Sequence, residues 1–302
     1  MGVVSEFIKY SRKEGVRKAI EAYGKIALGI ADYEENINTL YYFLNQYADI
    51  SKIPHAEGEL RQVQLSNTAL LKVIDKLCTK NNLIYFTFSG TLLGAVRHQG
   101  FIPWDDDLDV AMPRESFERA KGILRDFAEA NGMKHWIYPN PYFESLGLGY
   151  KDAGVWCDFF PIDTFCCTEK ITKEDFDFKV NLYKKEVNDK QMTDWYQIGM
   201  IRQRIFDDNR EGNRYYYYCA PRCNHPTIFL KTEDVFSIQR IAFENIEVNA
   251  PNKVEQFLSQ LYGNDWMKFP KTGILHHSDG HYPDPERQIQ YQKELAEIAD
   301  RI

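Results

Sequence analysis

The segment Pro103–Val110, PWDDDLDV, places four carboxylates within five residues. Like charges this close repel, and a cation is the most economical relief. Leu108-Asp109-Val110 reads as the start of a strand, in which alternate side chains share a face. On that spacing Asp107 and Asp109 point together, while Leu108 and Val110 face the core. Two carboxylates aimed at one spot can hold Mg2+ or Mn2+, hard ions that prefer oxygen ligands. Asp105 and Asp106 then precede the strand and serve its turn, a supporting hydrogen bond, or Arg97 or His98. A calcium loop is excluded: counting from Asp105 puts Val110 where the loop needs Gly and Ser116 where it needs Glu. A solvated acidic turn competes, but a strand entering a core is a costly place for unmatched charge. The D-x-D of a sugar-nucleotide glycosyltransferase fits the same spacing.

Upstream, Ser89-Gly90-Thr91 follows one strand-like run and opens a helix. Backbone N–H groups at a helix start bind phosphate oxygens, and Gly lets the ligand come close. With the acidic pair a short way downstream, the two describe a clamp for a nucleotide diphosphate. Arg97 offers a planar fork to a phosphate, or pairs with Asp105 or Asp106. His98 fits a supporting role. Trp104 either lines the donor pocket or packs.

These residues need elements to hold them. Leu70, Val73, Ile74 and Leu77 mark a helix ending near Asn81, and LIYFTF (83–88) reads as a buried strand. A short helix from SGTLLGAVRH and a strand over 108–112 follow. Pro113 opens the next helix, with Phe117, Ala120, Leu124 and Phe127 as its stripe. LGLGYKD and VWCDFFPID read as strands, 173–208 as mainly helical, and NRYYYYCAPRCNHP as irregular. QRIAFENIEV reads as a hairpin. Helices follow at Val254, Phe257, Leu258 and Leu261, and at Tyr291, Leu295, Ile298 and Ile302. Strands separated by helices predict an α/β (α+β) fold, a mixed sheet flanked by helices. Residues 1–50 form an N-terminal helical extension, and 51–59 a linker. Val16, Ile20, Tyr23, Ala27 and Ile30 give that extension an apolar stripe beside a basic excess. Such a helix either packs on the main domain or makes peripheral contact with an anionic membrane surface.

The net charge of −7 and the lack of a basic face exclude a general nucleic-acid partner. Six cysteines are too few for a disulfide scaffold in a chain of 302 residues, so reduced thiols and a cytoplasmic setting, with the inner membrane face as an alternative, are expected. Cys219, Cys223 and His225, with Cys166 or Cys167, could supply a structural zinc site. No apolar run is long enough to span a membrane.

SGTLLGAVRHQGFIPWDDDLDVAM (89–112) closely resembles the signature of the LicD family, a phosphotransferase group that includes the fukutin-related enzymes. VWCDFFPID (155–163) resembles its second block, and residues 243–270 its closing segment. The resemblance implies a nucleotidyltransferase-like catalytic domain over 51–302, with an insert at 173–235 outside the family pattern. It also implies transfer of phosphocholine, or of ribitol or glycerol phosphate, from a CDP-activated donor to a glycan or lipid-linked glycan acceptor, with CMP leaving. Gly90 and Thr91, beside Ser89, match the donor-phosphate turn. Asp107 and Asp109 match the metal pair, and Asp158 a third carboxylate that binds metal or takes a proton. His276 and His277 are retained in altered surroundings, His277 as a substrate contact. A choline-bearing donor would suit an aromatic cage drawn from Tyr215–Tyr218 and Trp156. A D-x-D glycosyltransferase and a non-catalytic glycan-binding domain are the alternatives.

Overall fold

The computed structural model describes residues 30–137, 144–151, 154–167, 169–206, 212–221, 227–270, 282 and 284–302, with Lys13 and Lys18. The chain packs as two units, residues 1–50 with 268–274, and 51–267 with 275–302. In the first, helix α1 (Ile30–Tyr47) is described, and the Phe269 N–H donates to Asn45 Oδ1 at 2.8 Å. Val16, Ile20, Tyr23 and Ala27 lie outside the described residues. No helix of the described residues is long and apolar enough to cross a membrane.

The second unit runs α2 (Gly58–Lys80), β1 (Phe86–Thr87), α3 (Ser89–His98), β2 (Leu108–Pro113), α4 (Arg114–Asn131), β3 (Lys134–Ile137), β4 (Leu146–Gly149) and β5 (Trp156–Cys167). It continues with α5 (Lys173–Asp189), α6 (Trp195–Phe206), β6 (Asn213–Tyr218), β7 (Ile228–Lys231), α7 (Thr232–Val235), β8 (Gln239–Phe243), β9 (Ile246–Ala250), α8 (Val254–Tyr262) and α9 (Pro285–Arg301). The main sheet has the order β1-β2-β5-β4-β3, with β6 joined to β5 and β7 to β6. β2 and β5 are parallel, and their neighbours antiparallel, so the sheet is mixed as expected. β8 and β9 form the expected hairpin.

Strand alternation sorts the side chains. Leu108, Val110, Met112, Cys157 and Phe159 join residues of α2, α4 and α9 in one core cluster. Ala111 and Ile162 face the other way, into a cluster with Leu92, Phe257 and Leu258. By the same alternation Asp109 and Asp158 fall on this second face, beside α3 and α8.

Some expectations need correction. Only Phe86–Thr87 of the 83–88 run pairs as strand, and Ile84 is 45% exposed. Pro113 closes β2, and α4 starts one residue later. NRYYYY is not irregular but strand β6, and Tyr215–Tyr218 are all buried. Tyr215 and Tyr217 pack with Phe165, Phe176 and Phe206, while Tyr216 and Tyr218 enter the cluster around Leu92. Rings locked into two cores cannot form a cage for a cation, so that expectation fails. A strand buried on both faces shows no polar alternation, which is why it looked irregular. β3 and β7 were likewise not anticipated. For the zinc site, Cys223 and His225 lie outside the described residues, and Cys166 and Cys167, adjacent on β5, point to opposite faces.

Beyond the carboxyl end of β2, Arg114 binds Asp163 with both arms of its fork, Nε to Oδ1 at 2.8 Å and an Nη to Oδ2 at 3.1 Å. It also donates to Glu144 at 2.7 Å, while Arg202 reaches Asp163 at 3.2 Å. Burial raises the Asp163 carboxyl, but Arg202 and Arg114 outweigh it and hold the group below its ordinary range. Removing Arg114 takes the two-armed partner from Asp163 and leaves Arg202 as its remaining ion-pair partner among the described residues. Arg114→Ala is therefore expected to lower stability by about 1–3 kcal/mol in denaturant unfolding, and a loss under about 0.5 kcal/mol would show the network to be idle.

Candidate active site

Helix α2 presents Arg61, Gln64 and Asn67 at three-residue spacing along one face. Gln64 Nε2 donates to the carbonyls of Ile102, at 3.3 Å, and Asp105, at 2.9 Å. Asn67 Nδ2 donates to those of Asp106, at 2.8 Å, and Gly154, at 2.9 Å, and Asn67 Oδ1 accepts from the Trp156 N–H at 3.0 Å. One fully buried amide thus ties the acidic loop to the start of β5. Arg61 grips both oxygens of Glu244, which also accepts the Phe101 N–H. These contacts fix the main chain of the loop. Sequence inspection missed Gln64 and Asn67. Their signal was two amides on the apolar side of an otherwise regular amphipathic helix.

With the backbone held, carboxylates converge. Asp105, Asp106 and Asp107 each offer an oxygen, and the three atoms lie within 4.8 Å of one another. β2 begins at Leu108, as expected, and Asp107, just before it, shares this cluster with its two predecessors. Asp109 instead sits in register with Asp158 on the neighbouring parallel strand. Register partners project from the same face about 4.8 Å apart. The sets are close together: burial, then the charges of Asp158, Asp109 and Asp107, push the Cys157 thiol up. An all-oxygen, multiply acidic donor set fits Mg2+ or Mn2+ rather than a soft ion.

The opening of α3 lies against this loop. Ser89 adopts a left-handed backbone (φ +46°), uncommon for a side chain without special need. Its hydroxyl shares a 3.3 Å hydrogen bond with that of Tyr262 at the end of α8. The Tyr262 side chain is 41% exposed overall, but desolvation at its hydroxyl end, then the charges of Asp109 and Asp105, push the phenol up against the opposing Ser89 bond and Arg97, so it stays a neutral donor. At Gly90, an added Cβ would lie 2.6 Å from Asp105 Oδ2. The space first assigned to a ligand's approach is thus taken by the chain's own carboxylate. Thr91 Oγ1 accepts the Asp109 N–H at 2.8 Å, which locks α3 to β2 at the acidic residue. Arg97 is buried, and donates from Nη1 to the Trp266 carbonyl and from Nε to His98 Nε2, both at 3.0 Å. Burial lowers its pKa to about 10, with Tyr262 and Asp105 opposing. Trp104 packs in the cluster of α3 and α8, edge-on to His98. His276 and His277 lie outside the described residues.

Across the sheet the row continues from Asp109 and Asp158 to Gly147 and Trp136. A Cβ on Gly147 would strike the Trp136 indole at 2.0 Å, so the ring lies over the glycine, next in the row to Asp158. The alternating glycines of LGLG were the signal for it.

Two outcomes follow. Asn67→Ala leaves the Asp106 and Gly154 carbonyls and the Trp156 N–H without this partner in a dry interior. It is expected to cost about 1–3 kcal/mol in urea unfolding, and a neutral result would refute the grip. His98 is held neutral, its pKa lowered from 6.5 to about 4 by burial, then Arg97 and His55. A depressed folded-state pKa gives stability that is full above about 6.5 and is lost as pH falls toward 4. His98→Gln should flatten that part of the stability–pH curve; an unchanged slope would exclude His98 as its source.

The profile of the family described as LicD/FKTN/FKRP, nucleotidyltransferase domain, matches residues 82–253. The uncharacterized protein RP689 of Rickettsia prowazekii is 29% identical over 208 residues, 68% of this chain and 56% of that protein. The lipopolysaccharide cholinephosphotransferase LicD of Haemophilus influenzae is 47% identical over 60 residues, 20% of this chain and 23% of that protein. The uncharacterized protein RT0683 of Rickettsia typhi is 51% identical over 65 residues, 22% of this chain and 21% of that protein. The matched stretches thus span little more than half, or less, of those relatives. The grip on the acidic loop, the paired strands and the matched region all lie in one unit, and the chain belongs to the LicD/FKTN/FKRP nucleotidyltransferase family.

Proposed function

We propose that this protein moves a phosphorylated small alcohol, phosphocholine or an alditol phosphate, from a CDP-activated donor to a glycan hydroxyl, with CMP as leaving group. The observation that carries this reading is the register of Asp109 with Asp158 beside the start of α3. Asp107, Asp109 and Asp158 are the metal-binding set, with Asp105 and Asp106 as close neighbours. A divalent ion held by these carboxylates would supply positive charge to the donor's phosphate oxygens. The acceptor oxygen bonds to the donor's β-phosphorus, the bond to the bridging oxygen breaks, and CMP keeps that electron pair. Asp158 either completes that set or takes the acceptor's proton. Tyr262, neutral and hydrogen-bonded to Ser89, donates to a phosphate oxygen. Family membership and the named activity of the Haemophilus influenzae relative support the class of reaction.

The test is a panel of CDP-choline, CDP-ribitol and CDP-glycerol with Mg2+ or Mn2+ and a glycan acceptor, read as CMP, with UDP- and GDP-sugars alongside. CMP release is expected, and Asp109→Asn or Asp158→Asn should lower it by roughly a hundredfold or more. Near-normal turnover in either variant at saturating Mg2+ overturns the assignment. Release of a nucleoside diphosphate from a sugar nucleotide would identify a glycosyltransferase instead.

A further inference from the structure

We propose that the cavity bounded by α4, β5 and α6 binds a neutral saccharide unit of the acceptor. The name of the ligand as acceptor rests on the phosphotransfer reading; the saccharide site itself does not. The cavity encloses about 700 Å³. Asp163 and Asp158 lie five residues apart on β5, roughly 16 Å at the rise of a strand, and an odd spacing puts them on opposite faces. The cavity is therefore separate from the acidic centre.

Its floor carries charge but no net charge. Arg114, Lys121 and Arg202 stand against Glu118, Glu144 and Asp163, bound to one another at 2.6–3.6 Å. An ionic ligand would have to break such pairs. A hydroxyl, which both donates and accepts, can bond to the outer edges of guanidinium and carboxylate without separating them. The wall is apolar: Tyr196 is 77% and Met200 57% exposed, one turn apart on α6. The C–H face of a sugar ring suits the negative face of an aromatic ring.

Gly199 supplies an independent observation. It lies within α6, where glycine weakens a helix. Packing does not require it, since an added Cβ would meet only Arg202 Nη2, at 3.9 Å. It lines the cavity, and its missing side chain keeps the floor open.

The experiment is saturation-transfer NMR on the full chain with neutral oligosaccharides ending in glucose, galactose or N-acetylglucosamine, with free ribitol and glycerol as a second arm. Saturation is expected on ring protons of at least one oligosaccharide and not on the alditols. Gly199→Leu projects a side chain into the cavity while improving helix propensity, so it should melt no lower than the parent yet bind at least tenfold more weakly. Tyr196→Ala, at an exposed ring, should weaken binding similarly. The proposal fails if no oligosaccharide shows transfer, if only the alditols do, or if either variant binds as the parent does. A silent CMP assay beside a positive sugar titration would refute the phosphotransfer reading alone.

Discussion

The second unit is arranged around an unfavourable interaction, the repulsion of aspartates crowded before and on β2. Two ionised carboxylates about 4.8 Å apart repel by about 3–4 kcal/mol at an effective dielectric constant of about 20. One hydrogen bond contributes about 1 kcal/mol net. No single contact can hold such a loop closed. Gln64 and Asn67 make five bonds to main-chain groups between them, and the Arg61–Glu244 pair braces the loop's upstream end. All these contacts act on or through the main chain and none engages a carboxylate of the acidic loop.

Sheet parity divides the labour. The parallel pairing of β2 and β5 sets Asp109 beside Asp158 on the face shared with α3 and α8, while their odd-register neighbours fill the core under α2, α4 and α9. A one-residue slip in either strand would bury a carboxylate in that core. Thr91 guards the register from the side, since its hydroxyl takes the N–H of Asp109 itself.

Much of this was legible in the sequence, and for identifiable reasons. The amphipathic helices declared themselves by period, as at Leu70–Leu77 and Phe117–Leu124, and the hairpin by its turn. The acidic loop was visible as chemistry, and Asp158 only through the family resemblance. What stayed hidden depended on three-dimensional neighbours. Tyr215–Tyr218 gave no alternation because both faces are buried. The clustering of Asp107 with Asp105 and Asp106 depends on the path of a loop, which no strand period describes. Gln64 and Asn67 looked like ordinary polar helix residues, because only the fold brings them to carbonyls some 38 to 41 positions away, or 87 for Gly154.

The contact between Gly90 and Asp105 changes how damage at this turn is to be understood. The bare α-carbon is owed first to the protein's own architecture: a methyl there would evict an internal carboxylate before any substrate arrived. Loss of activity on altering Gly90 would then report a displaced Asp105 carboxylate as readily as a weakened grip on a nucleotide, so the residue most suggestive of ligand binding is a poor probe of it.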